Sequence, residues 1–203
     1  KSDFNKLLNK QRDRSRSSSQ SFSDDWVNLI DNNQTKFIGY KHLTSESKIL
    51  KYREVKIDNE SKFHLVLDKT PFYPESGGQV GDTGNLNGKT SQINVLNTFK
   101  ENDLIIHLVD KLPNDLNDTF TSKINVSRRK LISKNHTATH LLHSALRETL
   151  GDHVVQKGSL VNDNTLRFDF SHFSKLTSDE LKNINDTVNN KIFQNIDIEI
   201  LEN

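Results

Sequence analysis

The stretch Asn135-His136-Thr137-Ala138-Thr139-His140-Leu141-Leu142-His143 lies in a run whose apolar residues recur at helical spacing, which predicts an amphipathic helix from about Arg128 to Leu150. Ser127 offers an N-cap hydroxyl, Val126 can staple onto Leu131, and Gly151 supplies the left-handed residue that ends the helix. At a rotation of ~100° per residue, Ala138, Leu141, Leu142, Ala145, Leu146 and Thr149 form one apolar stripe. His136, His140, His143 and Arg147 fall together on the opposite face. His136 and His140 are one turn apart, so their side chains stand one above the other and can reach a single metal ion, the spacing of two zinc ligands.

A polar helix face that happens to carry histidines has the same look. Zinc peptidases share the spacing, but their signature needs a Glu directly after the first His, and Thr137 stands there. A catalytic zinc also takes three protein ligands plus water, so the pair by itself is incomplete.

Downstream, His153 to Val161 and Thr165 to His172 read as paired strands joined by the turn Asn162-Asp163-Asn164. In the second, Leu166, Phe168 and Phe170 alternate with Arg167, Asp169 and Ser171. Thr177-Ser178-Asp179-Glu180 is a capping box that opens a helix carrying Leu181, Ile184, Val188 and Ile192 on one face, and Ile196 to Ile200 alternates as a last strand. Upstream, from Trp26 to about Val126, the pattern changes to short segments, Trp26 to Leu29, Phe37 to Tyr40, Ile49 to Ile57, Phe63 to Leu67, Ser91 to Asn97, Leu104 to Val109 and Phe120 to Val126, with alternation in Phe63 to Leu67 and Ile93 to Val95. With Gly and Asn turns between them, they predict a small antiparallel β-barrel. Within it, Thr70-Pro71-Phe72-Tyr73-Pro74-Glu75-Ser76-Gly77-Gly78-Gln79 is expected to be a loop, because two prolines and adjacent glycines break regular structure. A short helix is expected over residues 2 to 17, with Phe4, Leu7 and Leu8 on one side, followed by a Ser-rich stretch. The expected class is α+β: the barrel, then helices on one face of an antiparallel sheet.

The chain has 203 residues, 32% of them hydrophobic, enough for one large domain or two small ones. Mean hydropathy of −0.72 and the lack of a long apolar run argue against a membrane span, and no signal peptide is visible. There are no cysteines, hence no disulfide framework, and a start at Lys1 suggests an excised piece of a longer polypeptide. A net charge of +1 conceals two basic clusters: Lys6, Lys10, Arg12, Arg14 and Arg16, then Arg128, Arg129, Lys130 and Lys134. Either can be a solvated face or a phosphate-binding patch.

The run His136 to His143, with Val155-Gln156-Lys157-Gly158-Ser159-Leu160-Val161 and Leu166-Arg167-Phe168-Asp169-Phe170-Ser171-His172, closely resembles the editing domain of the alanyl-tRNA synthetase family. Pro71 to Gly84 resembles that family's glycine-rich signature, and the resemblance runs from about Phe4 to the end of the chain. It implies the end of a tRNA-recognition helical region plus linker in residues 1–22, a β-barrel domain with the glycine-rich loop in 23–126, and the editing core in 127–203. The fold implied for that core is the α/β sandwich of the threonyl/alanyl-tRNA synthetase second additional domain. The implied activity is hydrolysis of mischarged Ser-tRNA(Ala) and Gly-tRNA(Ala), by a cytoplasmic ligase that uses ATP and Mg²⁺ in another domain of the same polypeptide. His136 and His140 would bind Zn²⁺, Gln156 would contact the substrate or its attacking water, and Gln79 would hydrogen-bond the tRNA 3′ end. Gly77 and Gly78 would let backbone approach that end, and Arg128 and Arg129 would contact tRNA. The family completes its zinc site with a Cys-x-x-x-His that has no counterpart in a chain without cysteine, so two of four ligands are present. A free-standing trans-editing deacylase and a non-catalytic tRNA-binding module are the alternatives. The N-terminal helix argues against the first, and the missing ligands favour the second for the isolated chain.

Overall fold

The computed structural model describes residues 25–31 and 34–197. The expected N-terminal helix, its basic cluster and residues 198–200 of the expected last strand lie outside that range. Two unequal halves follow one another. The first is an eight-stranded antiparallel sheet of β1 (Val27–Asn28), β3 (Thr44–Ser47), β4 (Ile49–Ile57), β5 (Glu60–Leu67), β7 (Gly84–Asn87), β8 (Gln92–Glu101), β9 (Leu104–Val109) and β10 (Phe120–Ile124), in the order β1-β4-β5-β9-β8-β7-β10-β3. Two short strands, β2 (Lys36–Phe37) and β6 (Lys69–Thr70), pair in parallel beside it.

The expected barrel is instead an open, curled sheet. β3 ends at Ser47 and β4 begins at Ile49, so one residue carries the chain from one edge of the sheet to the strand next to the other edge. The ladder does not close, because the free edge of β4 is taken by β1, with Val27 opposite Tyr52 and Asn28 opposite Lys51. The curl shields both faces. Leu65 and Leu67 point into a core with Phe72, Leu86, Ile93, Val95 and Phe120, while Val66 joins Leu50 and Ile106 under Trp26 and Phe99 on the other side. The expected one-sided alternation of β5 therefore ends in four consecutive buried residues, His64 to Leu67.

The second half holds α1 (Val126–Leu150), the hairpin β11 (Gln156–Val161) and β12 (Leu166–Phe170), and α2 (Ser178–Phe193). The capping box of α2 forms as expected from Thr177 and Glu180. The start of α1 does not: its cap is Asn125, whose Oδ1 accepts from Arg128 N–H at 3.0 Å, two residues before the expected Ser127. Val126 packs on the sheet core rather than on Leu131, which is exposed. Gly151 ends the helix at φ +112° and ψ 168°, open to glycine but outside the left-handed helical well, and its N–H donates to Arg147 O.

Ala145, Leu146 and Leu142 pack on Ile184 and Val188 of α2 and on Phe168 and Phe170 of β12. Because the hairpin covers a second flank of α1, Thr139 is buried and His143 is half-buried with its ring 5.1 Å from Phe168. His143 thus departs from the solvent face that a single apolar stripe predicts. The class is α+β as expected, with two helices on a two-stranded hairpin standing where a wider sandwich was anticipated.

Candidate functional site

The glycine-rich loop is a built object. Ser76 and Gln79 exchange two backbone hydrogen bonds (3.1 and 3.0 Å) around Gly77 and Gly78, whose φ values of +59° and +80° make a two-residue turn that only glycine enters freely. A Cβ on Gly78 would lie 2.7 Å from Ser159 O, whereas one on Gly77 would meet open space. The turn then docks on the edge of β11, with Val161 N–H donating to Gly78 O (2.7 Å) and Val80 N–H to Val161 O (3.0 Å).

This docking carries Gln79, 6% exposed, to α1, where its Oε1 lies 2.7 Å from His136 Nδ1. Since an amide oxygen only accepts, Nδ1 carries the proton and Nε2 keeps its lone pair. Burial and the nearby His140 hold the His136 pKa below its usual value, so the ring is neutral at neutral pH. His140 stacks on it with ring centroids 5.0 Å apart and planes 12° apart. A ligating imidazole is typically fixed through its other nitrogen in this way. The pair fits half of a tetrahedral zinc site, and among the described residues no group of three or more His, Cys, Asp or Glu completes it.

Around the pair lies a cleft of about 40 Å³ lined by Gly77, His136, Thr139, His140, His143, Gln156, Ser159, Val161 and Phe168. Of the expected site residues, Gly77, His136, His140 and Gln156 meet here, with Gln79 and Gly78 just behind the wall. Gln156 is exposed and its Nε2 donates to Ser159 Oγ at 3.2 Å. His143 joins them from the same predicted helix face, whereas Ser159 and Phe168 come from a separate hairpin that no spacing along α1 could disclose.

Arg128 and Arg129, expected to contact tRNA, are taken up by protein acceptors. Arg129 forms a two-pronged ion pair with Asp82, 2% exposed, and also donates to Gly39 O (3.0 Å) and Pro71 O (3.2 Å). Arg128 donates to Gly81 O (2.8 Å) and pairs with Asp163 at 3.1 Å. The first turn of α1 has no acidic residue of its own, so Asp82 and Asp163 provide the negative charge that a helix N-terminus favours. A contact from either arginine to tRNA would have to displace these bonds.

The family described as tRNA synthetases class II (A) matches residues 1–129. The chain belongs to that family. Beyond residue 129 this synthetase-family chain continues to align with curated relatives. It is 51% identical over 195 residues to alanine–tRNA ligase of Cytophaga hutchinsonii, covering 96% of the chain and 22% of the relative. It is 49% identical over 197 residues to the Parabacteroides distasonis alanine–tRNA ligase (97% and 22%) and 45% identical over 201 residues to that of Bacteroides thetaiotaomicron (99% and 23%). The chain thus spans between a fifth and a quarter of the length of the relatives it matches. No helix among the described residues is long and apolar enough to cross a membrane, which says nothing about strands.

Proposed function

We propose that the cleft is the editing site of an alanine–tRNA ligase, hydrolysing the ester of Ser-tRNA(Ala) and Gly-tRNA(Ala), in an enzyme that works in the cytoplasm and uses ATP and Mg²⁺ elsewhere in its polypeptide. The observation that carries the reading is the Gln79–His136 hydrogen bond, which joins the glycine-rich loop to the histidine helix and leaves Nε2 of His136 free beside His140. The three-part division at residues 22 and 126, and a core of the second additional domain type, belong to the same proposal.

Such an enzyme faces a selection problem. Glycine lacks one methyl group of alanine, a methylene is worth only about 1–3 kcal/mol in an apolar pocket, and a pocket that accepts a methyl rejects an added hydroxyl poorly. A second, hydrolytic site removes the resulting errors. His136 and His140 would hold Zn²⁺ there, together with ligands from outside the described residues. Bound zinc supplies either a water of lowered pKa or polarisation of the ester carbonyl. The protein's own residues do the rest. Gln79 fixes the ring and tautomer of His136, and Gly77 leaves backbone-sized space for the tRNA 3′ end. Gln156, which has only a Ser159 hydroxyl to give up, can turn its amide to the aminoacyl carbonyl or to the attacking water. Val161 and Phe168 keep bulk water from the floor.

In the full-length enzyme, His136→Ala is expected to abolish deacylation of Ser-tRNA(Ala) while alanine activation, measured by ATP–pyrophosphate exchange, stays within about twofold. Equal loss of both activities would make α1 a structural element and sink the assignment.

A further inference from the structure

Beside the glycine-rich loop lies an aromatic cluster that the proposed hydrolysis does not use. Tyr40 is 72% exposed, yet its ring is seated edge-to-face with Phe37, with centroids 5.0 Å apart and planes at 84°. Tyr73 completes the group, 6.1 Å from Phe37 and 6.4 Å from Tyr40. Backbone contacts hold these rings in place. Lys41 N–H and His42 N–H both donate to Ile38 O (3.1 and 3.0 Å), and a Cβ at Gly39 would run into Pro71 O. The turn that carries Tyr40 therefore lies directly on the start of the loop that carries Tyr73. Arg129 joins the two, donating to Gly39 O and Pro71 O with its guanidinium 5.8 Å from the centre of the Tyr73 ring.

We infer that the exposed ring of Tyr40, backed by Phe37 and Tyr73, is a stacking platform for an unpaired base of the tRNA strand that leads the aminoacylated end into the cleft; the inference rests on the editing reading above. Charge favours this occupant. Residues 34–43 carry Lys36, Lys41 and His42, all exposed, and no carboxylate, while residues 71–79 carry only Glu75, so the surroundings suit a phosphate backbone. Burial and the neighbouring Tyr40 hold the Tyr73 pKa above its usual value, so its hydroxyl adds no negative charge. Continuity favours it too. The Tyr73 hydroxyl shares a hydrogen bond with Ser76, whose neighbour Gly77 lines the cleft. Four residues of loop separate Tyr73 from Gly77 and span at most ~14 Å, so a strand whose end is in the cleft passes the platform within its last few nucleotides. Every base has a π-face, so stacking on an aromatic ring needs no particular sequence, and a ring already fixed by its neighbours loses little rotamer freedom when a base settles on it.

The test uses the full-length enzyme carrying Tyr40→Leu, which keeps an apolar side chain on Phe37, or Tyr40→Trp, which keeps an aromatic face. With Ser-tRNA(Ala) as substrate, Tyr40→Leu is expected to raise the KM of deacylation about tenfold, the effect of one lost stack, with kcat within about twofold, and Tyr40→Trp to restore most of the loss. An unchanged KM in Tyr40→Leu, a loss confined to kcat, or a loss that Tyr40→Trp shares overturns the inference and leaves the editing reading intact. If the wild type does not hydrolyse Ser-tRNA(Ala), the editing reading fails by itself and the platform is read from binding. The probe is then tRNA(Ala) with 2-aminopurine at either of the two nucleotides before the terminal adenosine, whose fluorescence changes on stacking. A change on adding the enzyme that Tyr40→Leu removes and Tyr40→Trp keeps supports the platform, and any other pattern refutes it.

Discussion

In the sheet, Leu65, Phe72, Ile106 and Phe120 are wholly removed from solvent, whereas in the helical half Leu181, Phe193 and Phe173 stay 53%, 83% and 87% exposed. The sheet shields both of its faces by curling, so its stability is internal. The helical half has a thin core of Ala145, Leu146, Val154 and Ile184, and a two-stranded hairpin is marginal without a partner. It leans on the sheet side through the Arg129–Asp82 pair, the Arg128 bond to Gly81 O, the Gln79–His136 bond and the backbone bonds between Gly78–Val80 and Val161. The candidate site sits in the thinly packed half, positioned by a loop that belongs to the densely packed one. That loop is itself pinned, with Glu75 N–H donating to Thr98 O and Thr98 Oγ1 to Asp82 O.

The strongest way to break this division is Asp82→Ala, which strands the Arg129 guanidinium among backbone carbonyls. Removing one partner of a largely buried pair costs about 3 kcal/mol, here concentrated at the junction. Hydrogen exchange should show the first turns of α1 opening while β4, β5 and β9 keep their protection. Uniform loss of protection in both halves would show that the halves fold as one unit.

A second contrast lies in acid. His107 is fully buried in the sheet, donating from Nδ1 to Leu65 O (3.2 Å) and accepting at Nε2 from Thr70 Oγ1 (2.8 Å), and burial pushes its pKa from 6.5 down to about 4. His64 is likewise held at about 4, by burial first and then by Arg53, against the opposing charge of Glu101. Above pH 6.5 both rings are neutral whether folded or unfolded, and stability is flat. Between 6.5 and 4 only the unfolded chain takes up these protons, so stability falls with pH by about 1.4 kcal/mol per unit for each ring. Below 4 the contribution levels off. Denaturation midpoints across that window should fall less steeply in His107→Gln, and an acid limb of unchanged slope would mean that the sheet does not hold the ring neutral.

The smallest expected effect is Arg147→Ala. Arg147 pairs with Asp152 at 2.7 Å, but the side chains are 48% and 93% exposed, and such pairs contribute less than about 0.5 kcal/mol. A thermal midpoint more than a few degrees lower would show that the thin half depends on its surface charges.

Much of this molecule is written locally. The bounds of β4 and β9 match the short segments read from the sequence, and the Thr177–Glu180 box lies three residues apart in the chain and in the cap. The one-turn spacing of His136 and His140 puts two imidazoles together wherever the helix lies, because helical geometry reaches only a few residues. What the chain order could not disclose is which distant surfaces meet. β3 and β7 have too little periodicity to read alone and form as partners of β10. Asn125 replaces Ser127 as the cap because Val126 is drawn into the sheet core. Arg128 and Arg129 turn inward because Asp163 and Asp82 wait there, and the barrel stays open because β1 occupies the edge of β4. His143 leaves the solvent face because the hairpin that carries Phe168 folds over it. Propensity and periodicity act between near neighbours, while Gln79 and His136 are 57 residues apart, so their meeting depends on packing among all the elements between them.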